Sequence, residues 1–194
     1  FVRAEGNERL GGPLHGRDGP LNVADLVSPS PVNDLFLDAC NQLQIVPNSD
    51  FNGPDQEGVG LYQVTQKNGE RWSAARAYLP PETRSRPNLR IATGTRALRV
   101  VLDGRRASGV VCRTGRHQQT LQARRAVILS AGALQSPQLL LLSGIGPPHQ
   151  LARHGIGVVH DLPGVGQNLQ DHVDFTLLYR AQHPHLFGYT VRCL

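Results

Sequence analysis

Several residue types and patterns are missing from this chain, and each absence excludes a class of protein. Among 194 residues there is no Met, one Trp and three Cys. Because Cys40, Cys112 and Cys193 are odd in number, far apart and without a CxxC pair, the chain is neither a disulfide scaffold nor a zinc finger. The longest apolar runs have four residues, as in the leucines at 139–142, far short of the roughly 18–20 residues that a membrane span needs.

The chain also has no initiator methionine, and it starts at Phe1 without a signal-peptide or targeting pattern. Processing or removal of a tag would explain such a start. We expect instead that the chain is an interior piece of a longer protein.

Lysine is almost absent: Lys67 is the only one among 20 basic residues, and the formal net charge is +5. Nucleic-acid-binding proteins cluster basic residues on one face, whereas the arginines here are scattered from Arg3 to Arg192. We therefore expect a solvated basic surface and no nucleic-acid partner. An Arg-rich binding module stays as a less favoured alternative.

The first half of the chain predicts short elements separated by turns. Apolar residues from Val32 to Leu43 recur at helical spacing, which predicts a helix, half buried, that ends before Pro47. Asn68-Gly69 is a strong hairpin-turn signal. The other predicted elements are strands at 21–23 and 59–66 and a helix over 74–79 with Ser73 as its N-cap.

The second half is richer in β-structure. Segments 89–102, 107–112 and 120–123, separated by tight turns, predict a three-stranded meander. Segment 126–130, four apolar residues followed by Ser130, predicts a strand covered on both faces, as in a parallel sheet. Beyond it we expect helices at 138–142, with Ser136 as N-cap and Pro137 at the first helical position, and at 149–154, then a strand from Val173.

Strand, small-residue turn and helix together make one unit of a doubly wound sheet. Ligands lie beyond the carboxyl ends of such strands, where small residues let a phosphate or ribose approach the backbone. Tight packing of helix on strand would demand the same small residues at Ala131 and Gly132, so sequence alone leaves both interpretations open.

The motifs resemble those of one family, the glucose–methanol–choline (GMC) flavin oxidoreductases. Residues 132–146 (GALQSPQLLLLSGIG) are similar to the second signature of that family, and 162–172 (LPGVGQNLQDH) to the loop that follows it. Asp50-Phe-Asn-Gly53, 58–60 and 71–79 also fit, in order. Within the family the sequence is most similar to those of bacterial choline dehydrogenases and related alcohol dehydrogenases.

The resemblance implies an FAD cofactor, a small-molecule alcohol substrate and hydride transfer from its CH–OH group to flavin. It places Ala97, through its backbone, beside the adenine, and it places Ser130, Ala131 and Gly132 along the ADP half of FAD. It favours a dehydrogenase with a respiratory acceptor over an oxidase using O₂, although the acceptor is not determined. It implies a cytoplasmic location, with peripheral association with the inner membrane as the alternative.

The resemblance also implies a mixed α/β fold: part of a doubly wound FAD-binding domain with its β-meander, plus part of a substrate-binding domain. We assign residues 1–58 mostly to the substrate domain, 59–160 to the FAD-binding domain, and 161–194 to a linker loop and the start of the substrate-domain sheet.

The departures from the family pattern limit what the chain can do. The strand–GxGxxG–helix unit that holds the FAD pyrophosphate is absent, and residues 164–169 match only its first half. The catalytic His of the family, with a second His or Asn, belongs to a part absent here, so we assign no catalytic residue. An alternative hypothesis is therefore that these 194 residues alone are a catalytically incompetent fragment that binds no FAD.

The remaining polar residues suggest no other chemistry. His149, His154, His160 and His172 show no metal-ligand spacing, and we expect no metal site. A Ser-His-Asp hydrolase is excluded because there is no GxSxG elbow: Ser143 stands where a helix is predicted to end.

Overall fold

The structure, a computed structural model, describes residues 1–174, and the chain divides into two compact units between Arg90 and Ile91. The strand predicted from Val173 onward falls almost wholly outside the described residues, as does Cys193. Unit 1 comprises residues 1–90 and unit 2 comprises residues 91–174.

Unit 1 contains two small sheets and three helices. Strands β1 and β2 form a parallel pair, and β3 and β4 form an antiparallel hairpin. The elements in chain order are β1 (Glu5–Asn7), β2 (Leu21–Val23), α1 (Pro31–Gln42), β3 (Gln66–Lys67), β4 (Glu70–Arg71), α2 (Ala74–Tyr78) and α3 (Pro81–Arg84).

The local signals in unit 1 predict these elements well. Asn68 and Gly69 have φ of 53° and 78°, the left-handed values that a two-residue hairpin turn requires, and the turn joins β3 to β4. The Ser73 side chain accepts a hydrogen bond from Arg76 N and caps α2 as predicted. Strand 21–23 is confirmed, and Cys40 is buried.

Two predictions for unit 1 are wrong. The strand predicted at 59–66 does not form: only Gln66 belongs to a strand, β3, and Val59 and Val64 make isolated bridges, to Pro47 and Ala24, because the segment passes two different partners. The helix predicted from Val32 exists, but its apolar face is not half buried, since Phe36 is 62% exposed and only Cys40 is buried.

Unit 2 is built on the predicted meander. Its elements are β5 (Thr95–Asp103), β6 (Arg106–Thr114), β7 (His117–Gln122), α4 (Gly132–Leu142), β8 (Ile145–Gly146), α5 (Pro148–Arg153) and β9 (His160–Asp161). Strands β5, β6 and β7 form an antiparallel sheet in that order, against which α4 packs. The buried apolar residues are Val100, Val111, Cys112, Leu139, Leu151 and Val165.

The strand predicted at 126–130 is wrong. These residues form no strand, and Ile128 is 85% exposed. A central parallel strand takes its hydrogen bonds from neighbours on both sides, and no strand in the described part of the chain runs beside this segment. The apolar pattern indicates a buried position, but a strand forms there only if neighbouring strands are present to pair with it.

Helix α4 starts six residues earlier than predicted, at Gly132. Pro137 therefore lies inside the helix, and Ser136 is not its N-cap. The Ser136 hydroxyl instead accepts a hydrogen bond from the backbone N–H of Ala131, at 2.9 Å, one residue before the helix begins. The helix ends at Ser143 and Gly144 as predicted, and the next helix ends before Gly155.

The predicted mixed α/β class with a β-meander is confirmed. Among the described residues, no helix combines the length and apolar character that crossing a membrane requires.

We expect Gly109→Ala to lower the free energy of unfolding by about 1–3 kcal/mol, the usual cost of overpacking. A Cβ at Gly109 would lie 2.5 Å from the Leu121 carbonyl oxygen, so β6 and β7 would have to separate. Urea unfolding followed by circular dichroism measures the loss. The matched control is Gly164→Ala, where an added Cβ meets no atom within 4 Å; an equal loss in the two variants would contradict this account of β6–β7 packing.

Candidate functional site

An open cleft of about 690 Å³ lies between the start of β5 and one side of α4. Residues 94–98 form one wall, and the other wall comes from α4 and the residue before it: Ala131, Gln135, Gln138, Leu139 and Leu142. The meander places the first wall, and the packing of α4 on β5 places the second.

A β-bulge shapes the strand wall. Ala97 pairs with Cys112 but Arg99 pairs with Val111, so Leu98 is an extra residue without a partner on β6. The bulge lies within the strand wall, since both the half-buried Ala97 and the bulged Leu98 line the cleft.

The helix wall has a regular spacing. Ala131, Gln135, Gln138 and Leu142 follow one another at intervals of four, three and four residues, which places them on one face of α4. The two Gln side chains are exposed and make no hydrogen bond to another described residue. This face thus presents two carboxamide groups, with one small residue at one end and one apolar residue at the other.

The conformation of Gly132 bears on whether packing or ligand approach requires a small residue at this position. It has φ of 85°, and a Cβ built there would meet no atom within 4 Å. Among the described residues, packing therefore does not require a glycine at this position; the left-handed backbone conformation does. The space next to Gly132 is open to a ligand.

A second cleft, of about 550 Å³, adjoins the first. Ala131 and Gly132 line it together with Leu169, Gln170 and Asp171, which belong to the loop at 162–172. Among the four residues predicted to lie near the cofactor, the structure thus brings Ala97 and Ala131 into one cleft and Gly132 into its neighbour. Ser130 is exposed and lines neither cleft.

The hydroxyl of Ser143 connects the two walls of the first cleft. Its Oγ accepts a hydrogen bond from Val100 N on β5 at 2.8 Å and donates one to Leu139 O on α4 at 2.5 Å. Ser143 is 8% exposed, so both bonds are made away from solvent. Sequence reasoning placed this serine at a helix end, but the partner strand, 43 residues away, was not predictable.

Unit 1 contains a buried polar cluster that sequence reasoning missed. His15 Nδ1 lies 3.0 Å from Glu5 Oε1, and Nε2 lies 3.0 Å from Asp50 Oδ2. A neutral imidazole carries only one N–H, so both carboxylates are satisfied only by the protonated ring. Asn7 also donates to Glu5, at 2.8 Å. The cluster joins the loop after β1 to the loop around Asp50.

Glu5 and His15 shift each other's pKa. The hydrogen bond to Glu5 raises the pKa of His15; burial opposes this, and the hydrogen bond and charge of Asp50 add to it. Burial by itself would raise the pKa of Glu5, but hydrogen bonds from Asn7, His15 and Gly16 outweigh it, so the pKa lies below its ordinary value. Both shifts favour the charged forms of the pair, the imidazolium of His15 and the carboxylate of Glu5.

This cluster holds loops together and does not assemble a metal site. In residues 1–174 no group of three or more His, Cys, Asp or Glu side chains has an arrangement that could hold a metal ion. We therefore take the cleft of unit 2 as the candidate functional site.

Comparison with known proteins gives a consistent result. A family model described as GMC oxidoreductase matches residues 3–174. The alcohol dehydrogenase [acceptor] of Pseudomonas putida is 48% identical over 184 residues, covering 93% of this chain and 33% of that protein. The oxygen-dependent choline dehydrogenase of Brucella anthropi is 45% identical over 169 residues, covering 87% of this chain and 30% of that protein.

Solved structures are also similar. The FAD-dependent oxidoreductase from Chaetomium thermophilum superposes with a TM-score of 0.79 at 29% identity, covering 88% of this chain and 32% of that one. The chain thus spans about a third of the length of the relatives that it matches.

We expect Gly132→Ala to lower the free energy of unfolding by about 1–2 kcal/mol, because an L-residue is strained at a left-handed φ. Thermal unfolding of the 194-residue chain measures this. Gly157→Ala is the matched control, since its Cβ also meets no atom within 4 Å and its backbone is not left-handed. If the two variants are equally stable, backbone conformation is not what requires glycine at 132.

We expect the contribution of the Glu5–His15–Asp50 cluster to stability to be largest between pH 4.5 and 6.5, the ordinary pKa values of Glu and His. Because the pKa of His15 is raised, its contribution is full below 6.5 and is lost as pH rises through the raised value. Because the pKa of Glu5 is lowered, its contribution is present above 4.5 and is lost as pH falls through the lowered value.

Urea midpoints of the wild-type chain and of His15→Gln, measured across this range and at alkaline pH, test the expectation. The gap between them should narrow as the solution becomes alkaline. His117→Gln, at an exposed residue, serves as the control. A gap that stays constant with pH would show that His15 contributes packing and no charge.

Proposed function

The chain belongs to the GMC oxidoreductase family, and from this membership we propose that it supplies part of the FAD site of an enzyme that oxidises the CH–OH group of an alcohol. The cleft between β5 and α4 takes the ADP half of the cofactor. The observation that carries the proposal is the meeting of Ala97 and Ala131, 34 positions apart in the sequence, in one cleft with the exposed carboxamides of Gln135 and Gln138.

The residues present fit an adenine nucleotide. The cleft, at about 690 Å³, is within the range of small-molecule sites, roughly 300–1,000 Å³. Ala97 and Ala131 leave room for a planar base, and carboxamides such as those of Gln135 and Gln138 are the groups that pair with the polar edge of adenine. Gly132 leaves space for the chain of atoms that continues into the second cleft.

The work of the chain in this proposal is binding and orientation. FAD, when bound, would supply the acceptor for the hydride of the alcohol carbon, and a base would have to take the hydroxyl proton. We assign that base to none of the described residues, because those that line the cleft include no histidine or carboxylate. The chain's contribution is to hold the nucleotide half of the cofactor so that the reactive half is correctly placed.

We propose a choline-like or other primary alcohol as substrate. The relatives support this class, since two of them are named alcohol dehydrogenase and choline dehydrogenase. The electron acceptor is less constrained, because one of these names specifies oxygen and the other a general acceptor.

A second candidate is that the 194 residues by themselves are catalytically incompetent and retain no FAD. The specific observation in its favour is the segment 126–130, which forms no strand and exposes Ile128. A cofactor that binds beyond the end of a strand needs that strand in place. The two candidates are compatible if the 194 residues bind FAD only as part of a longer polypeptide.

We expect the purified 194-residue chain to lack the yellow flavin absorbance, and a hybrid enzyme to have it. In the hybrid, residues 3–174 replace the matching segment of the Pseudomonas putida alcohol dehydrogenase, with the unmodified relative as reference. The hybrid should bleach when an alcohol is added without an acceptor, because the substrate reduces the flavin.

Within the hybrid, Ala131→Leu should weaken FAD binding at least about tenfold, roughly 1.4 kcal/mol, because it fills the cleft. Ala152→Leu, at an exposed position of α5, is the matched control. The proposal fails if the hybrid folds but contains no flavin, or if Ala131→Leu binds FAD as tightly as the control.

A further inference from the structure

We infer that Ser143 is a positioning residue for the nucleotide cleft: its hydroxyl holds α4 and β5 at the spacing that binding of the ADP half requires. This inference rests on the proposed function. Ser143 touches no cofactor in the proposal, because it lies at the buried end of the helix and not among the residues that line the cleft.

The hydroxyl acts on both walls at once. Val100, which donates to it at 2.8 Å, lies on the same strand as Ala97 and three residues further along. Leu139, whose carbonyl oxygen accepts from it at 2.5 Å, lines the cleft on α4. One oxygen atom therefore makes a polar link between the strand wall and the helix wall.

The position of β5 in the sheet explains why the link is needed. Since β5 is an edge strand among residues 1–174, an N–H that points away from β6 has no partner strand on that side within the described part of the chain. Val100 is 6% exposed, so water does not readily replace such a partner. Without the hydroxyl, the Val100 N–H would be buried and unsatisfied, and helix and strand would have to move apart to hydrate it.

Ser108 provides a control on the same sheet. Its hydroxyl donates to Val101 O at 3.3 Å, next to Val100 along β5, but this bond joins β6 to β5 within the sheet and does not reach α4. Ser108→Ala therefore removes a hydroxyl of the same kind without removing the link between the walls.

The first measurement is hydrogen exchange of the Val100 amide in the 194-residue chain. We expect exchange at least about tenfold faster in Ser143→Ala, and protection close to wild type in Ser143→Thr, which keeps the hydroxyl, and in Ser108→Ala. If Ser143→Ala does not fold, Ser143→Cys gives the same comparison, because it keeps the size and weakens the acceptor.

The second measurement is the Kd for FAD after removal and re-addition of the cofactor in the hybrid enzyme. We expect binding about tenfold weaker in Ser143→Ala, roughly 1.4 kcal/mol, and near wild type in Ser143→Thr and Ser108→Ala. A wild-type hybrid that binds FAD, with Ser143→Ala binding as tightly as Ser108→Ala, would overturn the positioning role alone. A folded wild-type hybrid that binds no FAD would overturn the proposed function and this inference with it.

Discussion

The hydroxyl of Ser143 links the helix and the sheet of unit 2, and the candidate cleft depends on that link. Leu139 packs in the core beneath the same contact, so apolar burial brings α4 against β5 and the two hydrogen bonds fix where it stops. Apolar packing is tolerant of small shifts, whereas a hydrogen bond weakens steeply away from its ideal geometry. A single buried oxygen can therefore define the spacing between two walls that contribute most of their other atoms as apolar surface.

Unit 1 is stabilised mainly by buried polar contacts and less by an apolar core. Its buried apolar residues are few and mostly small: Ala24, Cys40 and Ala77. Its buried polar residues Glu5, Asn7 and His15 form a connected hydrogen-bond network. In the described chain, no buried side-chain N or O atom lacks a hydrogen-bond partner. Such networks impose one arrangement because each partial alternative leaves a buried group unpaired. Meanwhile the apolar side chains of Phe36 and Leu43 remain exposed, in a chain that spans about a third of the length of its relatives.

The elements that sequence reasoning predicted correctly are those with local causes. Asn68-Gly69 needs only its own two residues to turn the chain, and Ser73 needs only the N–H groups of the next turn to cap α2. The meander also follows from tight turns between neighbouring strands. Segment 126–130 fails for the opposite reason, since its pattern describes a position between strands that the described chain does not place there. Helix α4 begins early because Gly132 can adopt φ of 85° and Ser136 bonds back to Ala131.

The amino-acid sequence determined the family, the mixed α/β class, the turns and the residues expected near the cofactor, because signature motifs and turn chemistry are carried by consecutive residues. Only the tertiary structure decided that Ala97 and Ala131 share a cleft, that Leu98 is bulged, that Ser143 links α4 to Val100, and that His15 lies between Glu5 and Asp50. The physical reason is distance along the chain. These contacts join positions up to 43 residues apart, and their energies depend on burial and geometry that arise only after the separate elements have packed.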